Sequence, residues 1–104
     1  MTKSRREQLE VLLAAKPQDA FLRYGIAMEH AREGRPDEAV AWLEKLIVDQ
    51  PDYVPAYFQS GQILIRQGDN QRATDLLRRG ILQARAQSNP HAAEEMSALL
   101  NQIE

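Results

Sequence analysis

The sequence predicts an all-α protein built from repeated pairs of helices, and three observations support this prediction. The chain resembles itself when it is shifted by 34 residues, glycines and prolines divide each period into two segments, and apolar residues recur with the spacing of one helical face. No segment shows the alternation of apolar and polar residues, bounded by turn residues, that is typical of a strand. We therefore expect helices throughout.

The 34-residue shift aligns residues of the same chemical type along most of the chain. The matching pairs are Pro17 and Pro51, Ala27 and Gly61, Arg32 and Arg66, Gly34 and Gly68, Ala39 and Ala73, Leu43 and Leu77, and Ile47 and Ile81. The same register extends backwards, because Leu9, Leu12 and Leu13 match Leu43, Leu46 and Ile47. So many matches at one offset indicate a structural repeat.

The bounds of the predicted helices come from capping and turn residues. Asp19 suits a helix N-cap, and Pro36 suits the first turn of the next helix. Gly34 and Gly68 suit the left-handed position that follows a helix, and Asp69 suits the next N-cap. The predicted helices span residues 4–15, 19–33, 36–49, 54–67, 70–87 and 90–103.

Apolar side chains form one stripe on each predicted helix. The stripe of the third helix is Ala39, Leu43, Leu46 and Ile47, and that of the fifth is Ala73, Leu77, Gly80 and Ile81. The last helix is also amphipathic, with Ala92, Ala93, Met96, Leu99, Leu100 and Ile103 along one side. Because the end of a helical stack exposes an apolar face, we expect the last helix to cap it by covering Leu77 and Ile81.

Composition limits the possible functions. The 104 residues suit one domain, and 43% apolar with 27% charged residues is ordinary for a globular protein. A net charge of −2 gives no general attraction to nucleic acid or to an anionic membrane. The basic residues near the N-terminus are followed by Glu7 and Glu10, which does not suit a signal peptide. No apolar run approaches the roughly 20 residues that span a bilayer, so we expect a cytoplasmic protein.

Catalytic chemistry is not expected from this sequence. The absence of cysteine excludes disulfides, thiolate zinc sites and cysteine nucleophiles. The only histidines are His30, at a helix-packing position, and His91, at the start of the last helix, where we expect it to be solvated. No phosphate-binding loop, nucleophile elbow or metalloprotease motif occurs. We expect no enzyme, no cofactor and no metal site.

The fifth predicted helix has a basic character that allows two interpretations. Its arginines are Arg72, Arg78, Arg79 and Arg85. They could contact phosphates, but Asp75 lies three residues from both Arg72 and Arg78, so ion pairing on the helix surface is the simpler account. We therefore expect no nucleic-acid partner.

The repeated residues resemble those of the tetratricopeptide repeat (TPR). The resemblance rests on the small Ala27 and Gly61, the small Ala39 and Ala73, the bulky Leu43 and Leu77, the repeat-ending Pro51, and Tyr57. Arg23, Ser60 and Arg85 depart from the family pattern, and with Arg85 in place of a proline we expect the fifth helix to continue to about Gln87. The resemblance implies a right-handed α-α superhelix, a TPR-like solenoid of about two and a half repeats, forming a single domain over 1–104. It comprises a half-repeat helix at 4–15, repeats at 19–51 and 52–87, and a C-terminal capping helix at 90–103.

The resemblance also implies a binding surface. In this family the first helix of each pair lines a concave groove, while Ile26, Ala27 and His30 would point into the packing. The implied partner-binding residues are Phe21, Tyr24, Met28 and Arg32 from the first repeat and Phe58, Gln62, Ile65 and Arg66 from the second. Aromatic and arginine side chains are typical interface anchors. We expect the groove to bind a helical or extended segment of a partner protein, apolar with some acidic character.

Three alternatives bear on that expectation. Phe21, Tyr24 and Met28 could instead pack under the N-terminal helix. We expect a monomer or a weak homodimer, but the chain could instead be a homo-oligomeric scaffold that self-associates through its groove or its stack ends. Some relatives clamp a chaperone's terminal carboxylate with lysine, asparagine and arginine. We do not expect that activity, because Tyr24, Met28 and Gln59 hold these positions.

Overall fold

The computed structural model describes residues 2–104, and every regular element within this range is an α-helix. The helices are α1 (Arg5–Ala15), α2 (Ala20–Arg32), α3 (Pro36–Asp49), α4 (Val54–Arg66), α5 (Asn70–Ala86) and α6 (Pro90–Ile103). Each lies within one residue, at both ends, of the span predicted for it. The start of α4 and of α5 falls 34 residues after the start of α2 and of α3, so the repeat in the sequence is a repeat in the backbone.

The turns between paired helices are the same structure one period apart. Gly34 and Gly68 have φ angles of 78° and 80°, in the left-handed region that the sequence predicted for them. The N–H of Arg35 donates to the carbonyl of His30 at 2.9 Å, and the N–H of Asp69 donates to that of Leu64 at 2.9 Å. These bonds satisfy carbonyls that a helix end otherwise leaves without a partner.

Side-chain caps lie at the starts of α1, α2, α5 and α6, and those of α2 and α5 are the predicted N-caps. The Asp19 carboxylate accepts a hydrogen bond from the N–H of Leu22 at 2.9 Å, and Asp69 accepts one from Arg72 at 3.3 Å. Ser4 forms a reciprocal capping box with Glu7 at the start of α1. Such caps are local in sequence, which explains why the predicted bounds are close to the observed ones.

Small residues allow the two helices of each pair to approach closely. Ala27, Ala39 and Ala73 are fully buried, and a Cβ atom on Gly61 would lie 2.6 Å from a methyl carbon of Leu77. α2 packs on α3 and α4 packs on α5, while α1 covers α2 and α6 packs against both α5 and α4. The apolar stripes predicted for α3 and α5 are the core between these pairs.

The three departures from the family pattern are accommodated locally. Arg23 is buried at the position that Tyr57 occupies one period later, and its guanidinium donates to the Asp49 carboxylate at 2.8 Å. The Ser60 hydroxyl donates to the carbonyl of Ala56 at 2.7 Å, which satisfies it inside the core. Arg85 is exposed, and α5 continues past it to Ala86.

The last helix has the burial pattern of a first helix of a repeat. Its buried residues Ala93, Met96 and Leu100 lie 36 residues after Tyr57, Ser60 and Leu64, which are buried in α4. The sulfur of Met96 lies 2.6 Å from where a Cβ on Gly80 would be, so α6 packs tightly on α5. Beneath it Leu77 is fully buried and Ile81 is 7% exposed.

Candidate partner-binding surface

The eight predicted binding residues lie on one helical face of α2 and the corresponding face of α4, here called the α2–α4 face. Its members are Phe21, Tyr24, Met28, Arg32, Phe58, Gln62, Ile65 and Arg66. The opposite face of α2 packs inwards as expected, because Ile26 and Ala27 are fully buried and His30 is 4% exposed. None of the eight residues is fully buried.

Aromatic side chains occupy the N-terminal end of the α2–α4 face. Phe21 is 73% exposed, whereas Tyr24 and Phe58 are half-buried and pack against the core. The ring of Tyr24 lies 5.8 Å from that of Tyr53, tilted by 55°, and this contact joins α2 to the turn before α4. Burial raises the pKa of Tyr24, and the nearby Gln59 amide partly offsets the rise. This end of the face is therefore a largely apolar platform.

Cationic side chains occupy the C-terminal end of the same face. Arg32 and Arg66 are both exposed, and Arg32 lies 3.7 Å from Glu29. Arg66 forms no ion pair with any residue in the 2–104 range. Beside Arg66 is a cavity of about 330 Å³ whose walls include Ala31 and Ile63. An unpaired guanidinium next to an apolar hollow suits a ligand that carries both a carboxylate and an apolar group.

The N-terminal helix does not cover the aromatic end of this face. Leu9 of α1 packs on Gly25, where an added Cβ would lie 3.3 Å from a leucine methyl. Phe21 remains exposed, and Tyr24 packs against Tyr53. The alternative in which Phe21 is covered by α1 is therefore wrong.

Comparison with known proteins decides the family. The model of the tetratricopeptide repeat family matches residues 30–96, which is more than half of the chain. The chain belongs to the tetratricopeptide repeat family. Among curated proteins, no sequence matches this TPR chain.

Solved structures of TPR proteins superpose well on the chain. A tetratricopeptide repeat domain protein from Salinibacter ruber is 29% identical in its crystal structure, with a TM-score of 0.76 over 82% of this chain and 94% of that one. A solution structure of such a domain protein from the same organism is 31% identical, with a TM-score of 0.80 over 85% and 89%. A protein from Bordetella parapertussis, 24% identical, shares the fold, with a TM-score of 0.83 over 98% and 89%. The predicted all-α repeat solenoid is thereby confirmed.

Two parts of this TPR surface were not found from the sequence. Tyr53 lies in a turn, so the helical spacing that selected Phe21 and Tyr24 could not include it. A hollow of about 280 Å³ also opens between α2 and α3, lined by Arg23, Ala41, Trp42 and Lys45. Arg23 lies at a position where the family commonly has an aromatic residue. The sequence shows this departure, but it does not show that a hollow lies beside it.

Each histidine of the TPR domain lies beside a glutamate. The Nδ1 atom of His30 lies 3.3 Å from a Glu38 carboxylate oxygen, and its ring lies 6.2 Å from that of Trp42. His91 is exposed and lies 3.3 Å from Glu95. Within residues 2–104, no three His, Asp or Glu side chains cluster in a way that could hold a metal ion. No helix in that range is long and apolar enough to cross a membrane.

The arginines of α5 mostly have acidic partners, but not the expected ones. Asp75 lies 3.4 Å from Arg79, one turn away, so the predicted pairing of Asp75 with Arg72 and Arg78 is wrong. Arg72 instead pairs with Glu44 of α3, and Arg78 lies 3.4 Å from Glu104 of α6. The spacing of residues within α5 could not reveal the partners of Arg72 and Arg78, since both partners lie outside α5.

Proposed function

We propose that this TPR domain is a protein-interaction module that binds a segment of a partner protein on its α2–α4 face. Tetratricopeptide repeats generally mediate protein–protein interaction, which supports the general role. The observation that supports this particular surface is the 73% exposure of Phe21 beside the half-buried Tyr24 and Phe58. Rigid aromatic side chains bury much area at little conformational cost, which makes them effective anchors.

The two ends of the face suggest the chemistry of the partner. The aromatic end favours apolar side chains, and the end with Arg32 and Arg66 favours a carboxylate. Eleven residues separate Phe21 from Arg32, which is about 16 Å along a helix. The proposed partner segment therefore carries an apolar anchor and an acidic residue about three helical turns apart.

Site-specific photo-crosslinking tests this proposal directly. A photoreactive phenylalanine analogue is placed at Phe21 in one preparation and at Val48 in another, and cross-linked proteins are recovered from a native lysate. Val48 is the matched control because it is an apolar residue, 72% exposed, on α3. We expect a specific adduct from position 21 that is absent from position 48.

Surface variants then identify the chemistry of capture. In the unlabelled chain, combining Phe21→Ala with Arg66→Glu should abolish affinity capture of the protein found in the adduct and leave the helical circular-dichroism signal unchanged, because both side chains are exposed. A Val11→Ala, Val48→Ala variant is the control, since it removes exposed apolar area outside both proposed surfaces. Equal capture by both variants would contradict the proposed surface.

The location and the oligomeric state of the domain complete the proposed role. The proposed role is binding without catalysis. The proposed partner is a protein or peptide in the cytoplasm, and the domain acts as a monomer. Light scattering tests the last point: a mass that rises with concentration, and that Phe21→Ala lowers, would favour self-association through this face instead.

A further inference from the structure

In this chain α5 fills a site on the helices that precede it. The equivalent site one period later holds no helix among residues 2–104. α5 packs on α4, and its Arg72 side chain reaches Glu44 of α3. Leu77 of α5 fits against Gly61 of α4, and Arg72 of α5 pairs with Glu44 of α3. A glycine for close approach and an inter-helix ion pair thus define how a helix occupies this kind of site.

The same site recurs between α5 and α6, here called the α5–α6 groove. Ser97 and Leu100 lie 36 residues after Gly61 and Leu64, and Arg78 and Ile81 lie 34 residues after Glu44 and Ile47. Two cavities lie along it, of about 350 Å³ and about 410 Å³, and they share Arg85 and Ser97. Among residues 2–104, no helix takes the position on this groove that α5 takes in the preceding repeat.

Burial agrees with an unfilled site. Ile47 and Leu64 are 2% and 0% exposed beneath α5, whereas their counterparts Ile81 and Leu100 are 7% and 9% exposed. Gly61 is buried, whereas Ser97 is half-exposed. The floor of the groove remains apolar and its middle residue remains small, so a helix can still approach closely.

The charge of the groove is opposite to that of the filled site. Where α3 presents Glu44 to an arginine, α5 presents Arg78. Arg78 has only a 3.4 Å contact with Glu104, and Arg85 forms no ion pair with any residue from 2 to 104. An occupant therefore needs a carboxylate where α5 has Arg72. The α1 helix of a second copy does not meet these needs, because it would bring Arg5 to the place where α3 and α5 have buried alanines.

We propose that the α5–α6 groove is a second docking surface, which binds an amphipathic helix of a partner protein. That helix carries an acidic residue opposite Arg78, followed one residue later by a small residue and five residues later by a leucine, the spacing of Glu38, Ala39 and Leu43. The groove is separate from the α2–α4 face, so the two surfaces can be tested independently.

The chain itself supplies a matched pair of probes. A capped peptide of residues 35–50 presents Glu38, Ala39 and Leu43 in the required order, and the same peptide with Glu38→Arg reverses only the charge. We expect the first peptide to bind about tenfold more tightly, because one pair is attractive and the other repulsive. Amide chemical-shift mapping on the full chain should show changes at Ile81, Ser97 and Leu100.

A charge-swap variant provides the decisive control. Arg78→Glu should weaken the first peptide and strengthen the Glu38→Arg peptide, reversing their order. Because Arg78 is exposed, this variant should keep its fold. Arg66→Glu on the α2–α4 face should leave both affinities unchanged.

Four outcomes would overturn the proposal, and three of them come from the peptide titrations. They are the absence of shifts in the α5–α6 groove at millimolar peptide, shifts that map to the α2–α4 face instead, and affinities that ignore the charge swap. Concentration-dependent shifts at Ser97 in the chain alone would also overturn it, because they would identify a second copy as the occupant.

Discussion

The two full repeats place different residues at the same buried position, and the comparison shows how one backbone tolerates different cores. The first repeat has Arg23 and the fully buried Leu46, while the second has Tyr57 and Gly80. A Cβ on Gly80 would lie 2.5 Å from the Cβ of Tyr57, so the glycine makes room for the tyrosine. In the first repeat the corresponding positions hold an arginine and a leucine, so a leucine fits where the tyrosine ring is absent.

Polar satisfaction differs between the repeats as well. The Arg23 guanidinium is held by Asp49, which also accepts from Lys45 at 3.0 Å. The Tyr57 hydroxyl donates to the carbonyl of Pro51 at 2.5 Å, and Arg79 lies over its ring at 5.8 Å. At this position the first repeat thus buries an arginine in an ion pair, whereas the second buries a tyrosine whose hydroxyl makes one hydrogen bond to the backbone.

The largest effect is expected from removing the leucine of the first pair. Leu46→Gly should lower the free energy of unfolding by about 4 kcal/mol, because it deletes a fully buried side chain and places a glycine inside a helix. Adding Arg23→Tyr should recover about 1 kcal/mol by refilling the space as in the second repeat. Urea denaturation of the single and double variants measures both values, and strict additivity would show that residues 23 and 46 do not share a space.

The second pair gives the reverse test. Gly80→Ala should cost about 2 kcal/mol, since the new methyl would meet Tyr57 and Met96 and this outweighs the helical preference for alanine. Gly25→Ala is the control, because there the nearest atom is the flexible end of Leu9 at 3.3 Å. It should stabilise by about 0.5 kcal/mol. A stabilising Gly80→Ala, measured by thermal unfolding, would show that the helices separate easily.

The turns are where the two repeats should respond alike. Gly34→Ala and Gly68→Ala should each cost about 1 kcal/mol, because both force an alanine into a left-handed backbone with no other contact within 4 Å. Equal costs by urea denaturation would show that the turns are energetically equivalent. A difference larger than about 0.5 kcal/mol would indicate that one repeat is the weaker unit.

The same comparison explains what could be predicted from the sequence. Helix bounds depend on caps and glycines within a few residues, so all six lie within one residue of their predicted positions. The orientation of α2 follows from helical periodicity, which correctly placed Ile26 and Ala27 inside. The partner of Arg23 lies 26 residues away in Asp49, and no local pattern specifies such a contact.

Other unpredicted features are also tertiary. The contact between Tyr24 and Tyr53 joins a helix to a turn, so it follows from the packing of the repeats rather than from periodicity. Ser88 takes a left-handed φ of 56° at the end of α5, a position where the earlier turns have glycine. There the N–H of Asn89 donates to the carbonyl of Ala84 at 2.8 Å, so the turn geometry is kept without the residue that usually signals it.

Ionisation of Asp49 and Tyr57 has the smallest expected effect on stability near neutral pH, but the two groups act at opposite ends of the pH range. Hydrogen bonds from Lys45 and then Arg23 lower the pKa of Asp49, so the stability it contributes is present above its ordinary value of 3.8 and is lost as pH falls through the lowered pKa. Burial raises the pKa of Tyr57, so its contribution is present below 10.0 and is lost as pH rises through the raised pKa. Asp49 of the first repeat should therefore contribute to the loss of stability in acid, and Tyr57 of the second should contribute to the loss in alkali, together with Tyr24 and Tyr53.

Two conservative variants separate the acidic and the alkaline limbs of the curve that relates the free energy of unfolding to pH. Asp49→Asn should flatten the fall in unfolding free energy below about pH 4, and Tyr57→Phe should flatten the fall above about pH 10, each leaving the opposite limb unchanged. Urea denaturation across the pH range measures both, and ultraviolet absorbance follows the tyrosines. Since burial also raises the pKa of Tyr24 and Tyr53, the whole tyrosine titration should lie above pH 10. If Asp49→Asn changed the alkaline limb instead, the Asp49 ion pair and the buried Tyr57 ring would not contribute to stability independently.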